Sequence, residues 1–146
     1  MKFSNILVLC TGNICRSPLA EAMLKNNLEQ KIKSAGLRAM IGHEADPRAR
    51  ALAETHGLNL SDHRAQQLRA EMIEEADVIL VMSHRQRHAV THLAPTATGK
   101  IFLFGEGEKG SPAEEIPDPY RKSYEFFEHV YKQLSRSAEN WSRKLS

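Results

Sequence analysis

The chain has 146 residues, 41% hydrophobic and 26% charged, with a formal net charge of +2 at pH 7, which predicts one globular domain over residues 1–146. Its basic residues form no block and no apolar run approaches membrane-spanning length, so we expect neither nucleic-acid binding nor membrane insertion. Two cysteines and no export signal indicate the cytoplasm.

The first half of the chain predicts one strand and two helices. The apolar run Asn5–Leu9 is typical of a parallel strand that is buried on both faces. From Pro18, apolar residues recur at helical spacing and predict a first helix; they are Leu19, Ala20, Met23, Leu24 and Leu28. Asp46-Pro47 predicts the start of a second helix and Gly57 its end. The apolar face of this second helix comprises Ala49, Leu52 and Ala53.

The second half predicts two more strands and two more helices. Val78–Met82 reads as a buried strand, and Ser83 as the N-cap of a helix that runs to about Leu93. Ile101–Phe104 predicts a further strand. A polar loop, 105–119, then precedes a long helix at 120–144, whose inward-facing residues are Phe127, Val130, Leu134 and Trp141.

This alternation of strands and helices predicts an α/β fold: an open, mostly parallel sheet with helices on both faces and right-handed crossovers. Ligands of such sheets bind beyond the carboxyl ends of the strands. Cys10 follows the first strand directly. The loop after this strand, which we interpret as a phosphate-binding loop from its residues, therefore lies where the fold class predicts a ligand.

That loop follows the first strand, within Val8–Pro18 (Val-Leu-Cys-Thr-Gly-Asn-Ile-Cys-Arg-Ser-Pro). Successive backbone N–H groups of such a loop can form an anion nest, to which the next helix adds its positive N-terminus. Arg16 supplies a planar fork that matches two phosphoryl oxygens. Cys10 lies in the same positive field, which favours the nucleophilic thiolate. A free cysteine is most often a small buried hydrophobe, but this context favours a nucleophile.

The other loop residues are expected to bind the phosphate or shape the loop; they are Thr11, Gly12, Asn13, Ile14, Cys15 and Ser17. Asn13 tolerates left-handed backbone and can fix the loop by side-chain hydrogen bonds, and Gly12 is expected to serve the same backbone need. Ser17 can cap the helix, donate its hydroxyl to the Cys10 sulfur, or do both.

Hydrolysis of a phosphate ester also needs an acid for the leaving oxygen. Asp118 is the best candidate, because the prolines in Ile-Pro-Asp-Pro-Tyr stiffen its segment. Tyr120 offers a flat face to an aromatic substrate. Asp-Pro alone is also an ordinary turn, and Asp46-Pro47 is a second copy that we interpret as a helix cap.

Three histidines, His84, His88 and His92, are spaced to line one helix face. Such a face can suggest a metal site, but no cysteine or carboxylate clusters with them in sequence. We interpret them as a solvated helix face and expect neither a metal nor another cofactor.

Val8–Pro18 together with Asp118-Pro119-Tyr120 resembles the low-molecular-weight protein tyrosine phosphatases, and the likeness runs nearly the whole length of the chain. Ser34-Ala35-Gly36 and the segment 115–121 are similar to the bacterial branch associated with exopolysaccharide and capsule export. The resemblance implies that Cys10 is the nucleophile that forms a phosphocysteine, Arg16 the phosphate clamp and Asp118 the general acid.

The resemblance also bears on substrate and regulation. Arg121 stands where many animal members have a second tyrosine, which leaves the aromatic wall to Tyr120 and the loop 37–41. Related phosphatases that act on phosphoarginine carry Thr where this chain has Ile14, so phosphotyrosine is the expected substrate. Cys15 either packs under the loop or, as in this family, pairs with Cys10 under oxidant.

By resemblance the partner is a tyrosine autokinase of polysaccharide export, and a monomer is the expected state. Two rival functions remain. An arsenate reductase of the same fold needs further cysteines, and this chain has none beyond Cys15. A non-enzymatic phosphate-binding module needs the anion nest but neither a thiolate nor a stiffened acid.

Overall fold

The computed structural model describes residues 3–106 and 111–146. In this part of the chain four parallel strands form one sheet in the order β2-β1-β3-β4. The strands are β1 (Asn5–Cys10), β2 (Lys31–Gly36), β3 (Val78–Val81) and β4 (Ile101–Leu103). In the central strand, Ile6 pairs with Ile32 on one side and Val78 on the other. The carboxyl ends of β1 and β2 stay in register up to Cys10 and Gly36, which fixes the edge where the loop begins.

Five α-helices and one 3₁₀ turn (Pro95–Lys100) complete the described chain. The helices are α1 (Arg16–Asn27), α2 (Pro47–Thr55), α3 (Ala70–Glu75), α4 (His84–Leu93) and α5 (Tyr124–Leu145). Three of them are capped by side chains that accept a hydrogen bond from a first-turn backbone N–H. The capping residues are Asp46 for α2, Ser83 for α4 and Ser123 for α5.

Two apolar cores flank the sheet. Ile6 and Val8 pack in one cluster with buried residues of α1, α2 and α5. Leu7 and Leu9 pack in the other with residues of α3 and α4. Since successive strand side chains point to opposite faces, the two helix groups lie on opposite sides of the sheet. The predicted α/β fold with a parallel sheet is confirmed.

Several predicted boundaries are confirmed, and others shift. The helix starts at Asp46-Pro47 and Ser83 are confirmed, and Gly57 takes a left-handed φ of 78° just beyond α2. The first helix begins at Arg16 rather than Pro18. The last begins at Tyr124 rather than Tyr120, because a turn in which Lys122 N donates to the carbonyl of Pro119 precedes it.

One strand, one α-helix and the 3₁₀ turn at Pro95–Lys100 were not predicted. Strand β2 alternates exposed lysines with buried residues, since it lies at the edge of the sheet and its outer positions face water. Helix α3 has only six residues, too few to show an apolar period. Residues 107–110 of the predicted polar loop lie outside the described residues. Within the described chain, every helix is too short or too polar to cross a bilayer.

Candidate active site

The loop after β1 turns its carbonyl groups outward. All five carbonyls from Cys10 to Ile14 accept hydrogen bonds from outside the loop. In the order of the carbonyls from 10 to 14, the donors are Leu37 N at 3.0 Å, Arg38 N at 2.9 Å, Met40 N at 3.0 Å, His63 Nε2 at 2.7 Å and Asp46 N at 2.8 Å. Among the described residues, no acceptor is bound by the backbone N–H groups of residues 11–16. This arrangement leaves those N–H groups for an anion, as the sequence predicts.

Gly36, at the end of β2, permits the close approach of the segment that binds these carbonyls. A Cβ on Gly36 would lie 2.7 Å from the carbonyl oxygen of Thr11 and 2.9 Å from the Cα of Ala39. Gln67 holds the same segment from the other side: its Oε1 accepts from Ala39 N at 2.9 Å and its Nε2 donates to the Leu37 carbonyl at 2.8 Å. The segment 37–40 thus holds the loop by backbone hydrogen bonds, and the Gln67 amide in turn fixes that segment.

Asn13 fixes the middle of the loop. Its backbone is left-handed, with φ at 59°, and its side chain is fully buried. The Nδ2 group donates to Ser17 Oγ at 2.8 Å and Ser34 Oγ at 3.0 Å, and Oδ1 accepts from Gln66 N at 2.9 Å. Both features predicted for Asn13 are confirmed. The prediction for Gly12 is wrong, since left-handed glycines among the described residues occur at 42 and 57.

The Cys10 sulfur lies 3.0 Å from Ser17 Oγ, and both side chains are buried. Ser17 lies inside α1, whose N-cap position is Cys15 and has no side-chain capping bond. The helix-cap alternative for Ser17 is therefore wrong. Asn13 donates to the Ser17 oxygen. A Cys10 thiolate has no proton to donate, so the Ser17 hydroxyl would donate to it across this contact and stabilise it.

Arg16 occupies the first position of α1 and is only 5% exposed. Its Nη1 donates to the Ile116 carbonyl at 2.8 Å, and Nη2 lies 3.8 Å from Asp118 Oδ2, beyond hydrogen-bond range. Its Nε is buried and has no hydrogen-bond partner in the described chain. A buried donor left unpaired costs about 1–3 kcal/mol. The Nε/Nη2 edge of the guanidinium is thus free for two oxygens of a ligand.

The segment that carries Asp118 is docked onto the sheet. Ile116 is buried, and its N–H donates to the Met82 carbonyl at 2.9 Å. Asp118 follows two residues later with its side chain 49% exposed, and its Oδ1 accepts from Tyr120 N at 3.0 Å. The fold thereby brings Asp118 beside Arg16, although about a hundred residues of sequence separate them.

Tyr120 is partly buried against the apolar core. The guanidinium carbon of Arg121 lies 5.2 Å from the centre of its ring, a cation–π contact. Arg121 covers one face of the ring, so a substrate ring has the other face or the edge. Tyr120 therefore offers less of its ring surface to a substrate than the sequence suggests.

Cys15 is buried, and both cysteines are free thiols. Burial above all, then the nearby Asp46 carboxylate and Cys10, raises the pKa of Cys15 far above its usual range. Cys15 is therefore a neutral thiol at physiological pH. Cys15 is packed in the apolar core, as the first alternative predicts. Its pairing with Cys10 under oxidant stays a prediction.

His84, His88 and His92 are all exposed on α4, which agrees with a solvated face. Across residues 3–106 and 111–146, no three histidine, cysteine or carboxylate side chains come together in a way that could hold a metal ion.

Three supporting residues were not found from the sequence. His63 and Gln66 lie between regular elements and give no periodic signal. Gln86 is 6% exposed; its Oε1 accepts from Met82 N at 2.7 Å and its Nε2 donates to Thr11 Oγ1 at 3.2 Å. Gln86 follows the Ser83 cap by three residues, a capping-box spacing that marks it as a side chain with a structural partner.

The chain is similar to proteins of known class over its full length. The family model for low molecular weight phosphotyrosine protein phosphatase matches residues 5–146. Etp of Escherichia coli K12, named a low molecular weight protein-tyrosine-phosphatase, is 46% identical to this chain. The alignment covers 100% of this chain and 97% of Etp. The crystal structure of the tyrosine phosphatase AmsI of Erwinia amylovora is 47% identical with a TM-score of 0.92, covering 99% of this chain and 94% of that one. Wzb of Vibrio vulnificus, solved in complex with benzylphosphonate, is 39% identical with a TM-score of 0.92 and covers 98% and 99%.

Proposed function

The chain belongs to the low molecular weight protein tyrosine phosphatases, and from this premise we propose that Cys10, Arg16 and Asp118 hydrolyse phosphotyrosine through a phosphocysteine intermediate. One observation carries the proposal. Within the described residues, the buried Arg16 Nε has no hydrogen-bond partner, and it adjoins a loop whose backbone N–H groups have none either because the loop carbonyls point outward. Both are donor sets without acceptors, and a phosphoryl group supplies the acceptors that they lack.

Substrate binding uses the loop and the arginine. The N–H groups of residues 11–16 surround the phosphoryl oxygens, and the Nε/Nη2 edge of Arg16 binds two of them. The Ile116 carbonyl holds Nη1 at 2.8 Å, so the fork keeps one orientation. These donors match the charge that spreads over the equatorial oxygens in the transition state, which makes electrostatic stabilisation their largest contribution.

In the first chemical step the Cys10 thiolate attacks phosphorus in line with the leaving oxygen. A sulfur–phosphorus bond forms and the phosphorus–oxygen bond to the aryl group breaks. Asp118, as the neutral acid, gives its proton to the departing phenolate oxygen. The products are the dephosphorylated tyrosine side chain of the substrate, phosphocysteine and the Asp118 carboxylate.

In the second step water attacks the phosphocysteine. The Asp118 carboxylate takes a proton from this water, a phosphorus–oxygen bond forms, and the sulfur–phosphorus bond breaks. The departing thiolate is stabilised by the Ser17 hydroxyl, which lies 3.0 Å from Cys10 Sγ. Inorganic phosphate leaves, and Asp118 is again protonated for the next cycle. The cycle needs no cofactor or metal, because Arg16 and the loop neutralise the phosphoryl charge.

Phosphotyrosine is the substrate that Ile14 and Tyr120 favour. The branched apolar side chain of Ile14 suits packing against an aryl ester and offers no hydroxyl to a guanidinium. The benzylphosphonate complex of the similar Wzb shows that a phosphonate with a benzyl group is bound in that protein, which supports an ester with an aromatic ring here. Serine esters lack the ring that Tyr120 contacts.

The physiological partner that we propose is the tyrosine-rich tail of a tyrosine autokinase of polysaccharide export. The proposal depends on the likeness of the segments 34–36 and 115–121 to the bacterial branch associated with that process. A cytoplasmic monomer, acting as one domain over residues 1–146, is the form proposed to meet such a tail.

The test combines one variant with a substrate panel. Cys10→Ser should abolish turnover yet still bind phosphate or vanadate by calorimetry, because the N–H groups and Arg16 remain. Activity above one per cent of the wild type, a threshold of roughly 2.7 kcal/mol in barrier, would remove Cys10 from the nucleophile role. Wild-type kcat/KM should be highest for phosphotyrosine peptides. Faster cleavage of phosphoserine or phosphoarginine peptides would contradict the substrate assignment, and a shift toward phosphoarginine in Ile14→Thr would support the role of Ile14.

A further inference from the structure

Three cations without an ion pair among the described residues lie on or against the segment that follows the catalytic acid. Arg121 and Lys122 come directly after Tyr120, and both are exposed. Arg48, in the first turn of α2, reaches across and donates from Nη1 to the Lys122 carbonyl. These three residues, the basic rim, bring positive charge from two separate elements to the Asp118 side of the cleft.

No acidic side chain of the described residues lies within ion-pair distance of the basic rim. Three nearby acids face other groups. Asp118 faces Arg16, Asp46 accepts from the backbone N–H of Arg48 as the α2 cap, and Glu44 pairs with two other arginines. The rim therefore presents three cations, none in an ion pair within the described residues, to whatever enters the cleft beside it.

Arg121 is held in place by unusual local structure. Its φ is 62°, a left-handed conformation that costs a residue with a Cβ roughly 1–2 kcal/mol. Its guanidinium lies over the Tyr120 ring at 5.2 Å, so a long flexible side chain is partly ordered before any ligand arrives. An arginine ordered on an aromatic ring loses less entropy when it binds an anion.

We propose that the basic rim makes the enzyme select phosphotyrosines that have a second anionic side chain close by in the same peptide. The argument depends on the proposed phosphotyrosine phosphatase function and adds a preference among its substrates. The second anion is a carboxylate or another phosphotyrosine, since both offer oxygens to a guanidinium. A tyrosine-rich segment that is phosphorylated at several positions meets this requirement.

The experiment measures kcat/KM for three peptides of equal length that share one phosphotyrosine. One has neutral flanks, one has glutamate flanks, and one has a second phosphotyrosine. The readout is the ratio of each anionic peptide to the neutral peptide, compared across variants. For the wild type both ratios should be about 2–10 at 50 mM salt and should fall at 200 mM, because exposed charge pairs contribute about 0.2–1 kcal/mol each and are screened. The two anionic arms distinguish carboxylate from phosphoryl recognition.

Arg121→Gln should reduce the ratio about two- to fivefold, mainly through KM, and Arg48→Gln should reduce it less. Arg121→Lys should keep part of it, since the charge remains. Arg121→Gly removes the charge while suiting the left-handed backbone, and it keeps the test valid if the Gln variant folds poorly. Arg136→Gln is the matched control: this exposed arginine lies roughly 18 Å along α5 from Tyr124, and its ratio should equal that of the wild type.

Two outcomes would overturn the proposal. A wild-type ratio near one would show that flanking anions are not recognised. An equal loss on neutral and anionic peptides in Arg121→Gln would show that Arg121 only supports Tyr120. Neither outcome touches the phosphatase reaction, whose own failure would appear as absent turnover of the neutral phosphotyrosine peptide.

Discussion

Replacing Asn13 tests how the phosphate loop is held. Asn13→Ala keeps a Cβ at a left-handed position, where it costs roughly 1–2 kcal/mol without the side-chain hydrogen bonds that compensate in the native chain. It also leaves the backbone N–H of Gln66 without its acceptor, worth about 1–3 kcal/mol. Ser17 and Ser34 each keep another partner, Cys10 and Glu21. The free energy of unfolding should therefore fall by about 2–5 kcal/mol.

Asn13→Gly separates the backbone effect from the hydrogen bonds. Glycine loses the same bonds but adopts a left-handed φ without strain, while its greater freedom in the unfolded chain costs about 0.4–1 kcal/mol. It should be about 1 kcal/mol less destabilised than the Ala variant. Urea unfolding, with an m-value of about 2 kcal/mol/M, should place the Ala midpoint about 1–2.5 M below the wild type. Asn26→Ala, exposed on α1, is the control. Equal midpoints for Ala and Gly would refute the backbone argument, and losses under about 1 kcal/mol in both would refute the hydrogen-bond argument.

Three further predictions concern the chemistry. Arg16→Lys should lower kcat about 10²–10³-fold on an aryl phosphate, because an ammonium lacks the planar fork that binds two phosphoryl oxygens in parallel; near-normal kinetics would show that Arg16 is not the clamp. Asp118→Asn should lose about 10²–10⁴-fold, with a smaller loss for esters of strongly acidic phenols that leave without a proton; a uniform loss across a leaving-group series would make Asp118 structural. Peroxide should inactivate the wild type reversibly and Cys15→Ser irreversibly, as judged by activity recovered with added thiol. Since the raised pKa keeps Cys15 neutral, its attack on oxidised Cys10 should quicken as pH rises, and protection that is flat between pH 7 and 9 would contradict this reasoning.

Local patterns were sufficient for most regular elements. The unbroken apolar run of β1 and the Asp46 and Ser83 caps are decided by neighbouring residues, and the structure has them where the sequence predicts. The left-handed Asn13 was equally predictable, because it follows from the properties of asparagine itself. Strand β2 was missed because an edge strand needs only one sheet neighbour and its outward lysines obscure the apolar pattern.

Roles that depend on distant contacts were harder to predict. Whether Ser17 caps a helix or contacts sulfur is decided by where α1 starts relative to Cys10, and only the folded loop fixes that distance. Gly12 was assigned a left-handed backbone that Asn13 alone adopts in this loop. Gln86 supports Thr11 across 75 residues of sequence, a contact that no local pattern specifies.

The sequence by itself determined the chemistry available: a thiol, a guanidinium and a carboxyl, with the loop type that places the first two within seven residues. It also determined the α/β fold class, because alternating apolar strands and helices leave few ways to cover a parallel sheet. Tertiary structure alone decided that Asp118 stands beside Arg16, that Arg121 covers one face of Tyr120, and that Arg16 Nε has no hydrogen-bond partner among the described residues. The physical reason is that these facts depend on distances across the fold, which are set by how the Ile116 segment docks at Met82, just beyond β3, rather than by any residue's own preference.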